Sequence, residues 1–229
     1  MKRRLNASEI RSLVSSEPPG TPPEILDGMA VPSYLHRNPL IRWLMWRRYE
    51  IIAELGWFSS DMTVLEFGCG VGLFLPELAA TCGHVMACDL HPQHAMRLCG
   101  QLGLGVEFVA DVSVIQPRSL DAVVAADVLE HVSDLPGLLS QLSGRLKESG
   151  RLIVSGATET ALYRLGRKLA GFGDKGAYHL RNIDDIVAAA IGSGYELIAA
   201  REIPVLSLFP LFKILVFRLT DPLVGERAR

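Results

Sequence analysis

The apolar positions of this chain fall into short runs and helix-spaced stripes that alternate along most of its length. Val64–Phe67, His84–Cys88, Val106–Ala110, Asp121–Ala126 and Arg151–Ser155 are brief apolar runs, the pattern of buried strands. Between them lie segments with the period of a helix. Leu73 onward is the first, Pro92–Leu102 the second, and a third carries Leu135, Leu138, Leu139, Leu142 and Leu146, with Ser133 or Asp134 as its cap and Gly150 as its end. Five strand and helix alternations predict a parallel, doubly wound α/β sheet whose ligands gather at the carboxyl ends of the strands.

Two further elements bracket this core. Asn38-Pro39 is a cap followed by proline at the first helical position, and Leu40, Leu44, Met45, Ile51, Ile52 and Leu55 continue at helical spacing to Gly56. Trp43, Trp46, Arg42, Arg47 and Arg48 sit on the same helix; a packed stripe with a solvated basic side is the preferred reading over a substrate or membrane face. Towards the other end, Asn182 caps a helix bearing Ile183, Ile186, Val187, Ala190 and Ile191, and Tyr195–Ala200 reads as a strand. The apolar stretch from Ile203 to Leu219 contains Pro204 and Pro210, which argue for a loop and a strand rather than a membrane span. Residues 1–33, rich in Pro, Ser and charge, predict an irregular arm. Residues 34–222 then form one domain and 223–229 a tail.

Composition narrows the function. The chain has 229 residues, 49% of them hydrophobic, enough for a substantial core. Its formal net charge of -2 provides no bulk attraction for nucleic acid. Cys69, Cys82, Cys88 and Cys99 have no metal-ligand spacing and read as reduced thiols of a cytoplasmic protein; His91 and His94 have no ligand cluster beside them, so no metal site is assigned. No signal peptide is expected after Met1-Lys-Arg-Arg, because Asn6, Ser8, Glu9 and Arg11 interrupt the following segment.

The chemistry centres on Glu66-Phe-Gly68-Cys69-Gly70-Val-Gly72, between the first strand and the next helix. Alternate glycines permit positive φ and close approach of a ligand to the backbone. A dinucleotide fingerprint would need a glycine at the sixth position, where Leu73 stands, which weakens a nicotinamide oxidoreductase reading. Asp89, about twenty residues past the turn and at the end of the second strand, is placed to accept hydrogen bonds from ribose hydroxyls; the simpler reading is an Asp at a helix N-cap.

These residues resemble motif I and its acidic followers in the class I S-adenosylmethionine-dependent methyltransferases, over residues 40 to 220. Asp127-Val-Leu-Glu-His-Val132 is similar to the corresponding segment of the small-molecule, type 11-like branch, in place of the Asn/Asp-Pro-Pro-aromatic segment of nucleic-acid amino methylating enzymes. The resemblance implies a Rossmann-like, seven-stranded, mostly parallel sheet with an antiparallel last strand, here Lys213–Arg218, and helices on both faces. It implies S-adenosyl-L-methionine as cofactor, held by Glu66, Gly68, Cys69, Gly70, Gly72, Asp89, Leu90, Asp111, Val112, Asp127 and Val128, with Asp111 on the adenine amine and Val112 against the ring. Turn formation is the simpler role for Asp111.

The acceptor it implies is a small molecule, with no nucleic-acid partner. Residues 156–181 correspond to an insertion that covers the acceptor in such proteins, with Gly171, Gly173 and Gly176 as a candidate lid. There Arg164, Arg167 and Lys168 lie opposite Leu162, Leu165 and Leu169; two readings stand, a solvated face or a contact with an anionic membrane surface or lipid-like acceptor. Proton transfer, where the acceptor needs it, falls first to His131, then to His179 and Tyr163. The competing reading from another class is a catalytically silent subunit that binds a protein partner.

Overall fold

The structure, a computed structural model, describes residues 2–15, 31–158, 160, 181–204 and 210–220. Seven strands are hydrogen-bonded into a mostly parallel sheet in which only the last strand in sequence runs against its neighbours, as the sequence led us to expect. The chain divides into two compact units, residues 1–110 and 111–229.

In the first unit, β1 (Thr63–Phe67), β2 (His84–Cys88) and β3 (Val106–Phe108) lie side by side in the order β3-β2-β1, all parallel, with Leu65 opposite Met86 and Met86 opposite Glu107. Val64, Leu65 and Ala87 are wholly buried, which is why β1 and β2 are near-continuous apolar runs, whereas β3, at the end of the strand order, is part-exposed and alternates as Val-Glu-Phe. The connecting helices are α4 (Leu75–Thr81) and α5 (Gln93–Leu102), the latter closed by Gly103 in the left-handed conformation.

The amino-terminal part departs from the expected irregular arm. Residues Ala7–Ser15 form a helix, α1, started by a reciprocal cap: the Asn6 side chain accepts from the Ser8 and Glu9 amides, and Glu9 accepts from the Asn6 amide. The amides of Lys2 and Arg3 both donate to the buried Glu77 carboxylate. Leu5, Ile10 and Leu13, scattered among polar residues in sequence, are buried in one cluster with residues of α2 (Val31–Tyr34), with Met45 and Trp46 of α3 (Pro39–Leu55), and with Val71 and Leu73 of the glycine turn. A segment that looks loop-like by composition is ordered because it caps an apolar surface that would otherwise face water. Residues 16–30 of the arm lie outside the described residues.

Helix α3 begins as its sequence predicts, with the Asn38 side chain accepting the Leu40 amide and Pro39 at the first position. The solvated basic side needs correcting at one residue. Arg47 pairs with Glu50 and Glu54, but Arg48 is only 4% exposed and donates to the Tyr34 hydroxyl at 3.1 Å. Its spacing from Met45, Ile52 and Leu55 puts it on the buried stripe.

The second unit contains β4 (Leu120–Ala126), β5 (Leu146–Ala157), β6 (Tyr195–Ile203) and β7 (Phe212–Leu219) in the order β4-β5-β7-β6. β4 and β5 are parallel; β7 is antiparallel to β5 and to β6. Helix α6 (Leu135–Arg145) stops before the expected Gly150, since Leu146 is already extended and pairs with Leu120. Ser143 and Gly144 weaken its last turn, and burial of Leu146 in the sheet outweighs one more turn of helix. Helix α7 (Ile183–Gly192) is capped by Asn182, with Asp185 returning the bond. Tyr195, 1% exposed, fixes β6 to α6 by donating its hydroxyl proton to the Leu139 carbonyl at 3.0 Å. The insertion predicted for 156–181 starts inside β5, which runs to Ala157. Tyr163, Arg164, Arg167, Lys168, the three lid glycines and His179 lie outside the described residues, as does the 223–229 tail. No helix among the described residues is long and apolar enough to cross a membrane.

Candidate functional site

The glycine turn follows β1. Gly68, Gly70 and Gly72 have φ of 72°, 53° and 81°, values that a side chain would strain. Gly68 and Cys69 donate their amides to the Cys88 carbonyl at 2.8 and 3.3 Å, which ties the turn to the end of β2. Gly72 serves packing as well as conformation: a Cβ there would lie 3.0 Å from the Ala95 Cβ and from Leu75 Cδ1.

Asp89 closes this arrangement. Its Oδ2 accepts the Gly70 amide at 2.8 Å and its Oδ1 accepts the His91 amide at 2.8 Å. The carboxylate therefore both shapes its own turn and holds the middle of the glycine turn, while retaining lone pairs for a ligand hydroxyl. Beside it Leu90 is 92% exposed, an apolar side chain standing in water next to a polar cradle.

Glu66, one residue before the end of β1, is only 1% exposed, and its Oε2 has no hydrogen-bond partner among the described residues. Burial first, and the negative Asp89 second, push its carboxyl well above the usual carboxylate range. A buried oxygen without a donor demands an explanation, and a bound ligand that presents N–H groups or positive charge provides one. Cys69 lies in the same surroundings, and burial followed by Glu66 and Asp89 raises its thiol far above the ordinary range. Burial also pushes Cys82 and Cys99 up to about 11.

An aromatic stack flanks the turn. Tyr49 lies on Phe74 with centroids 4.9 Å apart and planes within 5°, and Tyr34 stacks on Tyr49 at 6.0 Å, offset geometries that ring quadrupoles favour. Burial, Tyr34 and Glu66 raise the Tyr49 phenol well above its ordinary value, against an opposing pull from Arg48. Tyr49 thus feels both a buried carboxyl and a buried guanidinium. Arg48, which the sequence placed on the solvated basic side of α3, is buried against Tyr34 instead; the readable signal was an arginine at a buried-stripe position of α3.

The second unit brings a different group of predicted residues together. Asp127, just past β4, has a φ of 53°, unusual for a residue other than glycine. Two bonds to Ser155 of β5 hold it there: the Asp127 amide donates to the Ser155 carbonyl at 3.0 Å, and the Ser155 hydroxyl donates to Asp127 Oδ1 at 2.9 Å. Ser155 is 1% exposed and was not singled out by sequence. Val128 leads into a 3-10 turn, Leu129–His131, whose last amide donates back to the Val128 carbonyl at 3.0 Å, and whose His131 is exposed. Arg181 secures the following loop through the carbonyls of Val132 and Ser133.

Asp111 is exposed and caps the short turn Val112–Val114 by accepting the Ser113 amide at 2.8 Å, and the Ser113 side chain and amide hold its carboxyl below the usual range. Val112 is 2% exposed, so its side chain is directed into the protein.

Comparison with known proteins agrees with this geometry. A family model described as a methyltransferase domain matches residues 40–200. The chain is 33% identical over 108 residues to a ubiquinone biosynthesis O-methyltransferase of Xylella fastidiosa (strain 9a5c), an alignment covering 44% of each chain. It is 32% identical over 131 residues to the protein of the same name in Xanthomonas campestris pv. campestris (strain B100), covering 52% of this chain and 55% of that one. The chain thus matches about half the length of these curated relatives. Among solved structures, the N-methyltransferase NodS of Bradyrhizobium japonicum WM9 superposes with a TM-score of 0.60 at 17% identity, covering 81% of this chain and 99% of that one. A SAM dependent methyltransferase from Aquifex aeolicus gives 0.60 at 20% identity, covering 75% and 89%. At these identities the structural likeness establishes the fold.

Proposed function

Because the chain belongs to the methyltransferase-domain family, we propose that it transfers the methyl group of S-adenosylmethionine to a hydroxyl oxygen of a small, hydrophobic or lipid-like acceptor. The observation that carries the donor assignment is the buried Glu66 oxygen without a donor, beside a glycine turn whose central amide is held by Asp89. Such a site suits a ligand with an ammonium and sulfonium end and a ribose, and has no use for a diphosphate. The oxygen acceptor and its lipid-like character rest on the names of the relatives from Xylella and Xanthomonas.

Each residue then has a separate task. Gly68, Cys69, Gly70 and Gly72 let the donor approach the backbone, and Asp89 accepts from its ribose hydroxyls. Glu66 faces its amino-acid end, where Arg48 supplies a buried cation for the carboxylate. Leu90 offers an exposed apolar surface to the flat adenine ring. The family resemblance assigns Asp111 and Val112 to the adenine and Asp127 and Val128 to the donor's edge.

S-adenosylmethionine supplies a methyl group already activated on a sulfonium, so the protein's work is to align an acceptor lone pair and to exclude water. A hydroxyl acceptor must also lose its proton; His131, exposed in the 3-10 turn after β4, is the described candidate for receiving it. Peripheral contact with an anionic membrane through Arg164, Arg167 and Lys168 belongs to the same proposal, and sedimentation with anionic liposomes, wild type against the charge-reversed variant, tests it.

Calorimetric titration with S-adenosylmethionine and with its demethylated product is the test of the donor site, with NADH and NADPH as comparison ligands. Micromolar binding of the first two and none of the others is expected. Folded protein that binds neither would overturn the assignment in favour of a silent, partner-binding subunit.

A further inference from the structure

The first unit contains a cleft of about 330 Å³ that none of the donor residues lines. Arg4, Asn6 and Ala7 form one wall, at the start of α1, while Arg42 and Trp46 of α3 form the other. A volume of this order is at the lower end of small-molecule sites.

Its charge is one-sided. Among the described residues, two arginines line the cleft and no carboxylate does. The Arg4 guanidinium lies over the Trp46 ring, 4.7 Å from its centroid, which fixes its position without using its hydrogen-bond donors. Its ion-pair partner, Glu50, stands 3.8 Å away, beyond hydrogen-bond distance. Arg42 is anchored through Nη1, which donates to the carbonyls of His36 and Arg37. A guanidinium has five donors in a planar fork matched to carboxylate and phosphate. Both groups line one small cavity, so an anion bound there is attracted by two positive charges at once. Behind them Leu5, Ile10 and Tyr34 give an apolar floor, suited to a short hydrocarbon or ring.

We propose that this cleft is a binding site for a small amphipathic acid, a carboxylate or phosphate on a short aromatic or aliphatic body, separate from the donor site. The guanidinia of Arg4 and Arg42 take the acid group and the apolar floor takes the body. Because the floor belongs to the same buried cluster as Val71 and Leu73 of the glycine turn, occupancy bears on the surface against which that turn packs.

The test is a titration of the full chain with benzoate, phenyl phosphate and the neutral benzamide, read by the indole N–H resonance of Trp46, assigned by its loss in Trp46→Phe. Saturable shifts with the two acids and none with benzamide are expected. In Arg4→Gln and in Arg42→Gln the acids should bind about tenfold more weakly or worse. Titration with S-adenosylmethionine, run in parallel, should be unchanged in both variants, so failure of this site and failure of the donor site give different results. Equal shifts with benzamide, equal acid affinity in Arg4→Gln, or no saturable shift with either acid would each overturn the proposal. Arg42 also anchors two carbonyls; should its variant lose the fold, Arg4→Gln decides the matter, because Arg4 is half exposed in the native protein.

Discussion

Asp89 holds Gly70. The carboxylate at the end of β2 accepts the amide of the central glycine after β1 at 2.8 Å, so the residue proposed to receive the ribose also sets the shape of the turn. Asp89→Ala removes both functions and frees the His91 amide as well. Hydrogen bonds to a charged group contribute about 1.5–3 kcal/mol each, so donor affinity should fall by about 100-fold or more in calorimetric titration. Asp89→Asn retains one acceptor oxygen and should lose less.

Glu66 gives a pH dependence with a definite sign. Its folded-state value is raised, so the native state binds a proton more tightly than the unfolded chain does. The stabilisation is present in full below the ordinary value near 4.5 and is lost as pH rises from there towards the folded value. Glu66→Gln keeps the shape and cannot ionise. Without donor, the Tm of wild type should therefore fall relative to that of Glu66→Gln as pH rises above the ordinary value near 4.5. Parallel curves would show that the carboxyl is not held in its protonated form.

Gly72 and Gly103 separate conformational strain from collision. Both have positive φ, 81° and 63°, but a Cβ at Gly72 meets Ala95 and Leu75 whereas one at Gly103 meets open space. Gly103→Ala should cost about 1–2 kcal/mol, the conformational part alone. Gly72→Ala adds overpacking of about 1–3 kcal/mol. Denaturant unfolding of the two variants measures the difference; equal costs would mean that α5 yields freely at Ala95.

In the second unit, Ser155 holds Asp127 in its left-handed conformation. Its buried hydroxyl donates to the Asp127 carboxylate. Deleting that donor in Ser155→Ala should cost about 1.5–3 kcal/mol in chemical unfolding, the range for a hydrogen bond to a charged group. Asp127→Gly relieves the strained φ but abandons the same bond. If Ser155→Ala were as stable as wild type, the serine would have no part in fixing the loop.

The sequence alone determined β1 to β5 and the helices that follow β1, β2 and β4, because buried strands leave apolar runs and covering helices repeat near every third or fourth residue. β3 and β4, by contrast, are joined by the short 3-10 turn Val112–Val114 where a regular alternation would have placed a helix. It also determined the glycine turn and Asp89, since positive φ and a carboxylate at a strand end leave marks in residue type and spacing. The Asn38-Pro39 and Asn182 helix starts were legible for the same reason, being local bonds between residues two or three apart. What tertiary structure decided depends on partners distant in sequence. Arg48 is an arginine in any reading of α3 until Tyr34 stands against it, and Ser155 is one polar residue at the end of a strand until it meets Asp127. Leu5, Ile10 and Leu13 look like strays in a polar arm. They become core when Glu77, far along the chain, binds the amides of Lys2 and Arg3 that precede them. Local chemistry is written in spacing, whereas burial and long-range pairing arise only when the folded chain brings its separate surfaces together.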